Sequence, residues 1–111
     1  MAEAQICACE TGTLSFENFE EADLGIDQHR GEVLLKRCRH CRRLWLKRYY
    51  AQEAFTGWGR WYEGLVPPEL ETSVKAESAL EFLGKLDGYL CGGSYFDGRI
   101  FKSQGPPEHV P

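Results

Sequence analysis

The chain has 111 residues, carries a formal net charge of −4, and is 42% hydrophobic and 13% aromatic. This length suits one domain, and this composition excludes a disordered chain. No apolar run approaches the length of a membrane span, and the acidic N-terminus lacks the basic start of a secretory signal peptide. We therefore expect a single soluble, cytoplasmic domain over residues 1–111, whose thiols are reduced.

The charge is unevenly distributed along the chain. Residues 33–52 carry a local +7 with no acid, so the rest of the chain sums to −11. Residues 17–27, which precede this stretch, are rich in acids, and we expect them to neutralise part of it. We call the seven cations the basic strip: Lys36, Arg37, Arg39, Arg42, Arg43, Lys47 and Arg48.

The first half of the chain predicts a β-hairpin. Residues 14–25 are ambiguous between a short helix and a strand. From residue 32 to residue 50, two segments rich in Leu, Val and aromatic residues flank Arg39 and His40, which predicts a hairpin with a tight tip. In its second strand the even positions 44, 46 and 50 would face one side and the odd positions 45, 47 and 49 the other.

The second half predicts further strands around one helix. Residues 57–66 fit a strand, and apolar residues at helical spacing predict a helix over 74–86. Thr72 or Ser73 is a candidate cap for this helix, and Glu81 and Lys85 form a favourable i,i+4 pair. Asp97-Gly98 predicts a two-residue turn between the strands 94–96 and 99–101.

Together these elements predict an α+β fold. A metal-binding hairpin within residues 6–50 would continue into an antiparallel sheet that carries one main helix. The β/α part would cover residues 51–103, and residues 104–111 would form a frayed tail.

Four of the five cysteines occur as two close pairs. Cys7 and Cys9 form C-x-C, and Cys38 and Cys41 form C-x-x-C at the predicted hairpin tip. Zinc favours four thiolates in a tetrahedron, and two such turns complete that shell. These four residues therefore predict one metal site, with zinc as the expected ion and iron as the alternative. The fifth cysteine, Cys91, has no assignable partner and is expected to be a buried apolar residue.

Residues 6–50 resemble the zinc-ribbon and rubredoxin-like class in motif and context. The resemblance rests on the paired cysteines and on the position of Cys38 and Cys41 between two strand-like segments. It implies a structural zinc held by four cysteines. The first pair is C-x-C rather than C-x-x-C, and neither pair is followed by the glycine that is typical of a zinc knuckle.

Two further features are candidates for binding. The stretch 57–64 has the composition of an interaction surface, with Trp58, Arg60 and Trp61 as its candidate contact residues. The basic strip is a candidate for phosphate binding through Arg37, Arg39, Arg42, Arg43, Lys47 and Arg48.

Three functional hypotheses follow from these features. The first is a zinc-binding, non-catalytic protein-interaction module of accessory, adaptor or immunity type, whose partner is another protein. The second is a nucleic-acid-binding zinc ribbon that uses the basic hairpin 36–48. The third, an enzyme, is disfavoured because the sequence shows no catalytic triad or paired-carboxylate signature and because four thiolates fill the coordination of the metal.

Overall fold

Six strands form one antiparallel sheet in the computed structural model, which describes residues 9, 16–50, 59–93, 96 and 98–107. Each strand pairs with the next one along the chain, so β1 and β6 are the edges of a meander. With one short helix, this sheet confirms an α+β fold. The strands are β1 (Phe19–Ile26), β2 (Glu32–Cys38), β3 (Leu44–Tyr50), β4 (Arg60–Leu65), β5 (Tyr89–Gly92) and β6 (Phe101–Ser103).

The predicted hairpin over residues 32–50 is present. β2 and β3 pair antiparallel from Glu32 opposite Tyr49 to Arg37 opposite Leu44. The ambiguous segment before it is a 3₁₀ turn at Phe16–Asn18 followed by β1. Pairing with β2 places the acids of β1 beside the cations of β2, and this charge match favours the strand over a helix.

The helix is shorter than the sequence predicts. A 3₁₀ turn at Ala76–Ser78 leads into α1 (Ala79–Gly84), and another 3₁₀ turn lies at Pro68–Leu70. The hydroxyl of Ser73 caps nothing in α1, because it donates to the carbonyl of Leu70 at 3.0 Å. None of the helices in the described part of the chain has the length and apolar character that crossing a bilayer requires.

The end of α1 is set by packing. Gly84 lies against the C-terminal segment, where a side-chain carbon on Gly84 would lie 3.1 Å from the Cα of Pro106. The predicted i,i+4 ion pair is formed just beyond this point, with Lys85 Nζ 3.2 Å from a carboxylate oxygen of Glu81. Both of these side chains are exposed, so the pair contributes only a few tenths of a kcal/mol.

Each face of the sheet carries a cluster of buried residues. The predicted alternation in β3 is correct for Leu44 and Leu46, which face the helix side, and for Trp45, which faces the other side. The helix-side core consists of Val33, Leu44, Leu46, Tyr62, Val66, Val74, Ala79, Leu83, Tyr89 and Cys91. The opposite core consists of Cys9, Phe19, Cys38, Trp45 and Leu90.

The C-terminal hairpin differs from the predicted two-residue turn. β5 pairs with β6 with Cys91 opposite Phe101, so the connection runs over residues 93–100. Gly93, at φ +117°, turns its carbonyl toward this connection and accepts the N–H groups of Phe96 and Gly98 at 3.0 Å each. Because these two hydrogen bonds return the chain to Gly93, Phe96 lies in a turn instead of a strand. Asp97 lies outside the described residues.

Gly64→Ala is expected to lower the free energy of unfolding by about 1–3 kcal/mol, because its new methyl group overpacks the core. That methyl would lie 2.4 Å from Leu86 Cδ1 and 2.8 Å from Leu83 Cδ2. Gly88→Ala is the control, since its methyl meets its nearest atom at 3.4 Å. Urea unfolding measures both variants, and equal stabilities would contradict the packing argument.

Candidate metal centre

Three cysteines from distant parts of the chain converge on one point. The sulfur atoms of Cys9, Cys38 and Cys41 all lie within 4.8 Å of one another, and those of Cys9 and Cys41 are 3.6 Å apart. None of the three is in a disulfide. A tetrahedron with Zn–S bonds of 2.3 Å has edges of about 3.8 Å. The three sulfurs are therefore spaced like three corners of a metal–thiolate site.

The hairpin tip positions two of these thiols. Cys38 ends β2, and its backbone closes the tip by accepting the N–H of Arg42 and donating to the carbonyl of Arg43, both at 2.9 Å. Arg42, which follows the C-x-x-C motif, has φ +65°. This is the left-handed conformation for which glycine is favoured, so the arginine takes the backbone geometry expected of the missing knuckle glycine. Arg37 holds it there by donating to its carbonyl at 2.8 Å.

Two N–H groups point at the sulfurs. The backbone N–H of His40 donates to Cys38 Sγ, and the indole N–H of Trp45 donates to Cys9 Sγ, both at 3.4 Å. Such donors stabilise the thiolate form and orient ligands around a metal. The imidazole of His40 is directed elsewhere, with its Nε2 atom 2.7 Å from the side-chain oxygen of Asn18. A set of thiols that receives N–H bonds fits a soft divalent ion.

The site formed by the three cysteines is also largely buried. Cys9 and Cys38 are at most 1% exposed, and Phe19, Trp45 and Leu90 pack around them. An ion held here would join the N-terminal segment to the hairpin tip across the face of the sheet opposite α1. Cys7, the fourth predicted ligand, lies outside the described residues and stays a prediction.

The basic strip is largely neutralised within the protein. Five of its seven cations form ion pairs with carboxylates, some from the acidic stretch before it and some from later segments. Where these pairs are exposed they contribute little, but they occupy the cations. The pairs are Lys36–Glu63, Arg37–Glu71, Arg39–Glu20, Arg42–Glu20 and Arg48–Asp27.

The Arg48–Asp27 pair is the most deeply buried of these. The Nε atom of Arg48 donates to Asp27 at 2.9 Å, and Arg48 is fully shielded from solvent. Asp27 also accepts the backbone N–H groups of His29 and Gly31. Burial by itself raises the pKa of Asp27, but the hydrogen bonds from Arg48 and the two backbone groups outweigh it, so that the pKa lies below the usual 3.8.

Lys47 occupies a different environment on the face opposite α1. Desolvation lowers the pKa of Lys47, and the nearby carboxylate of Glu63 offsets this shift only in part. Its ammonium nitrogen lies 5.3 Å from the centre of the Trp61 ring, a distance typical of a cation–π contact. A half-buried lysine stacked in this way is poorly placed to bind a phosphate.

The remaining predicted binding residues differ in exposure. Arg43 and Trp61 are half-buried, whereas Arg60 is only 3% exposed and Trp58 lies outside the described residues. Cys91 is buried on the helix side, away from the three converging thiols, and burial raises the pKa of its thiol to about 11. This environment matches the expected role of Cys91 as an apolar core residue.

Sequence reasoning missed the residues that complete these interactions. Glu63 and Glu71, which pair with Lys36 and Arg37, were not selected, and neither was Trp45 as a donor to a cysteine. Glu63 lies opposite Lys47 in the sheet, but this pairing depends on the register between β3 and β4, which the sequence did not specify. No local signal pointed to Glu71 either.

Comparison with known proteins adds no relative to this description. No protein-family model, curated protein or solved structure matches the chain.

Proposed function

We propose that this chain is a small zinc-binding, non-catalytic protein-interaction module. Cys9, Cys38 and Cys41, together with Cys7, would hold one structural zinc at the tip of a zinc-ribbon-like hairpin. The observation that carries this proposal is the convergence of the three thiols to within 4.8 Å. Cys9 joins the other two from 29 and 32 residues away in the chain, and a shared metal ion accounts for this convergence.

The closed shell supports a structural role over a catalytic one. Catalytic zinc keeps a coordination position for water or substrate, whereas four cysteine ligands leave none. The most reactive alternative nucleophile, Cys91, is disfavoured by its raised thiol pKa. We therefore infer that the metal stabilises a binding domain of accessory, adaptor or immunity type.

The ion pairs support a protein partner over a nucleic acid. Five of the seven cations in the basic strip face carboxylates, and the rest of the chain carries −11. A polyanion would have to displace these carboxylates before it reached the arginines. A protein partner has no such requirement.

Elemental analysis of the protein purified under reducing conditions tests the metal directly. One zinc per chain is the expected result, because Cys7 together with the three converging cysteines would form a closed tetrahedral set. Iron in the same stoichiometry would identify the alternative ion. No metal above background would contradict the proposal.

The double substitution Arg42→Glu and Arg43→Glu separates the two binding hypotheses. We expect weaker zinc retention or lower stability, because the substitutions place two carboxylates at the turn after Cys41, next to the thiolates and to Glu20. We also expect oligonucleotide affinity to be negligible both before and after the change. Zinc content and oligonucleotide binding at low salt are the measurements.

The opposite pattern would favour the nucleic-acid hypothesis. Zinc content would then be unchanged, while single-strand affinity would fall by several kcal/mol at low salt. For six phosphate contacts, the affinity of the unsubstituted protein would also fall with a log-log salt slope of about −4.

A further inference from the structure

The two edges of the sheet differ in how they are protected. β1 carries Glu20, Glu21 and Asp23, and its pairing with β2 is interrupted by an irregularity between Asp23 and Gly25. A bulge or irregularity is one device that keeps an edge strand from pairing with another chain, and the pairing of β5 with β6 shows none. No strand in the described part of the chain pairs with the outer side of β6, and the described residues 98–107 contain no acid.

β6 and the residues before it form an exposed surface that is both basic and apolar. Ile100 and Phe101 are 38% and 39% exposed. Arg99 and Lys102 are exposed as well, and no carboxylate among the described residues forms an ion pair with either of them. This distinguishes them from the basic strip, where most cations are already paired. We call residues 99–103 the β6 edge.

A pocket opens beside the β6 edge on the face that holds the cysteines. It has a volume of about 300 Å³, at the lower end of the range for ligand sites. Trp45, Leu65, Tyr89 and Leu90 line it together with Asp87, Gly88 and Lys102, so that one carboxylate and one ammonium group share its wall. The pocket is large enough for one bulky apolar side chain.

We propose that an extended segment of a partner protein, carrying both acidic and apolar side chains, adds to the sheet alongside β6. The inference rests on the proposed function as an interaction module and names its docking surface. Main-chain hydrogen bonds to β6 would supply affinity, as in other complexes formed by strand addition. Acidic side chains would pair with Arg99 and Lys102.

The apolar side chains of the partner segment would be placed by the alternation of the strand. Those on the helix side would cover Phe101, whose ring packs edge-to-face against Phe96 at 4.8 Å. Those on the opposite side, next to Lys102, would lie at the mouth of the pocket. Specificity would then come from charge and from the pocket together.

Charge disfavours a second copy of this chain as the occupant. Pairing two β6 edges would bring Arg99 and Lys102 of both copies together, and like charges across an interface cost several kcal/mol. Pairing β6 with β1 of another copy would match charges, but it is a head-to-tail contact that the irregularity in β1 opposes.

Selection from a displayed library of random twelve-residue peptides, using the full chain, tests the proposal. We expect the enriched peptides to combine acidic and apolar residues. One such peptide should protect from hydrogen exchange, as measured by NMR, those amides of β6 that point away from β5. Lys102→Glu should weaken its binding about tenfold, because the substitution sets a carboxylate against the acids of the peptide.

Lys75→Glu is the matched control, since Lys75 is also exposed but precedes the 3₁₀ turn before α1. It should leave peptide affinity unchanged. Enrichment of basic peptides, no enrichment, or equal binding by Lys102→Glu would overturn the proposal. Protection of the β6 amides in the protein alone, growing with its concentration, would show that a second copy is the occupant.

Failure of this inference can be distinguished from failure of the proposed function. Cross-linking the zinc-loaded chain to a purified native partner reports which residues lie at the contact. Cross-links far from the β6 edge would contradict the proposed docking surface. They would leave the proposed role as an interaction module intact. A chain that binds no zinc would contradict the proposed function, whatever result the peptide selection gives.

Discussion

Cys38→Ser is expected to release the zinc and to remove most of the stability of the domain. Cys38 is fully buried at the hairpin tip, and its sulfur lies within 4.8 Å of those of Cys9 and Cys41. A structural zinc with cysteine ligands contributes on the order of 10 kcal/mol, whereas a whole domain of this size is stable by about 5–15 kcal/mol. The N-terminal segment should separate from the hairpin when the ion leaves.

Cys91→Ser is the matched control for this experiment. It makes the same chemical change at a cysteine that is also buried, at 2% exposure, but that packs in the helix-side core. It should keep one zinc per chain and lose about 1–3 kcal/mol, the cost of a polar group in an apolar site.

Two measurements decide between these expectations. Elemental analysis gives zinc per chain, and urea unfolding with and without a strong chelator gives stability. The metal site would be disproved if Cys38→Ser kept its zinc, or if a chelator affected neither the unsubstituted protein nor Cys91→Ser.

Asp27→Asn is expected to lower the free energy of unfolding by about 3–5 kcal/mol. The asparagine can still accept the backbone N–H groups of His29 and Gly31, but it leaves the charge of Arg48 buried without its counter-ion. Removing one partner of a buried ion pair carries a cost of this size. Glu20→Gln is the control, because Arg39 and Arg42 are more than half exposed and such pairs contribute about 0–1 kcal/mol.

The effect of Asp27→Asn should depend on pH in a defined direction. The pKa of Asp27 is lower in the folded protein than its usual 3.8, so its stabilisation is fully present above pH 3.8. It is lost as the pH falls through the lower folded value, where the carboxyl is protonated. The difference in stability between the unsubstituted protein and Asp27→Asn should therefore shrink below pH 3.8.

Taking the difference between the two proteins removes the contributions that titrating groups common to both make to the pH dependence. Thermal unfolding of both proteins at a series of pH values between 6 and about 2.5 measures this difference in stability. A difference that stays constant over that range would contradict the assignment of the buried pair.

Features encoded over short distances could be predicted from the sequence. The alternation of residues in 32–50 specified the hairpin, and the spacing of C-x-x-C placed Cys38 and Cys41 at its tip. The Glu81–Lys85 pair was predictable for the same reason, since one helical turn determines the distance between them. In each of these features the geometry depends on only a few consecutive residues.

Features that depend on register between distant segments were decided by the tertiary structure. The closeness of Cys9 to Cys41 was expected from ligand chemistry, but the donation from Trp45 to Cys9 requires the N-terminal segment to lie on a particular face. The pairing of Lys36 with Glu63 likewise requires β4 to align with β3 in one register. A one-residue slip would have moved Glu63 to the other face.

Burial in the middle of the sheet was also a tertiary property. Arg60 lies in a stretch whose composition suggested an exposed surface, yet it is buried because both faces of this sheet are covered. In a strand with one face in solvent, apolar and polar residues alternate, and this pattern shows which side chains are buried. A strand that is covered on both faces has no such alternation. The C-terminal end of α1 also depends on a distant segment, because Pro106, more than twenty residues away, packs onto Gly84. The sequence by itself determined the hairpin 32–50 and the position of Cys38 and Cys41 at its tip, and the packing of distant segments determined which charges are paired and which surfaces stay open.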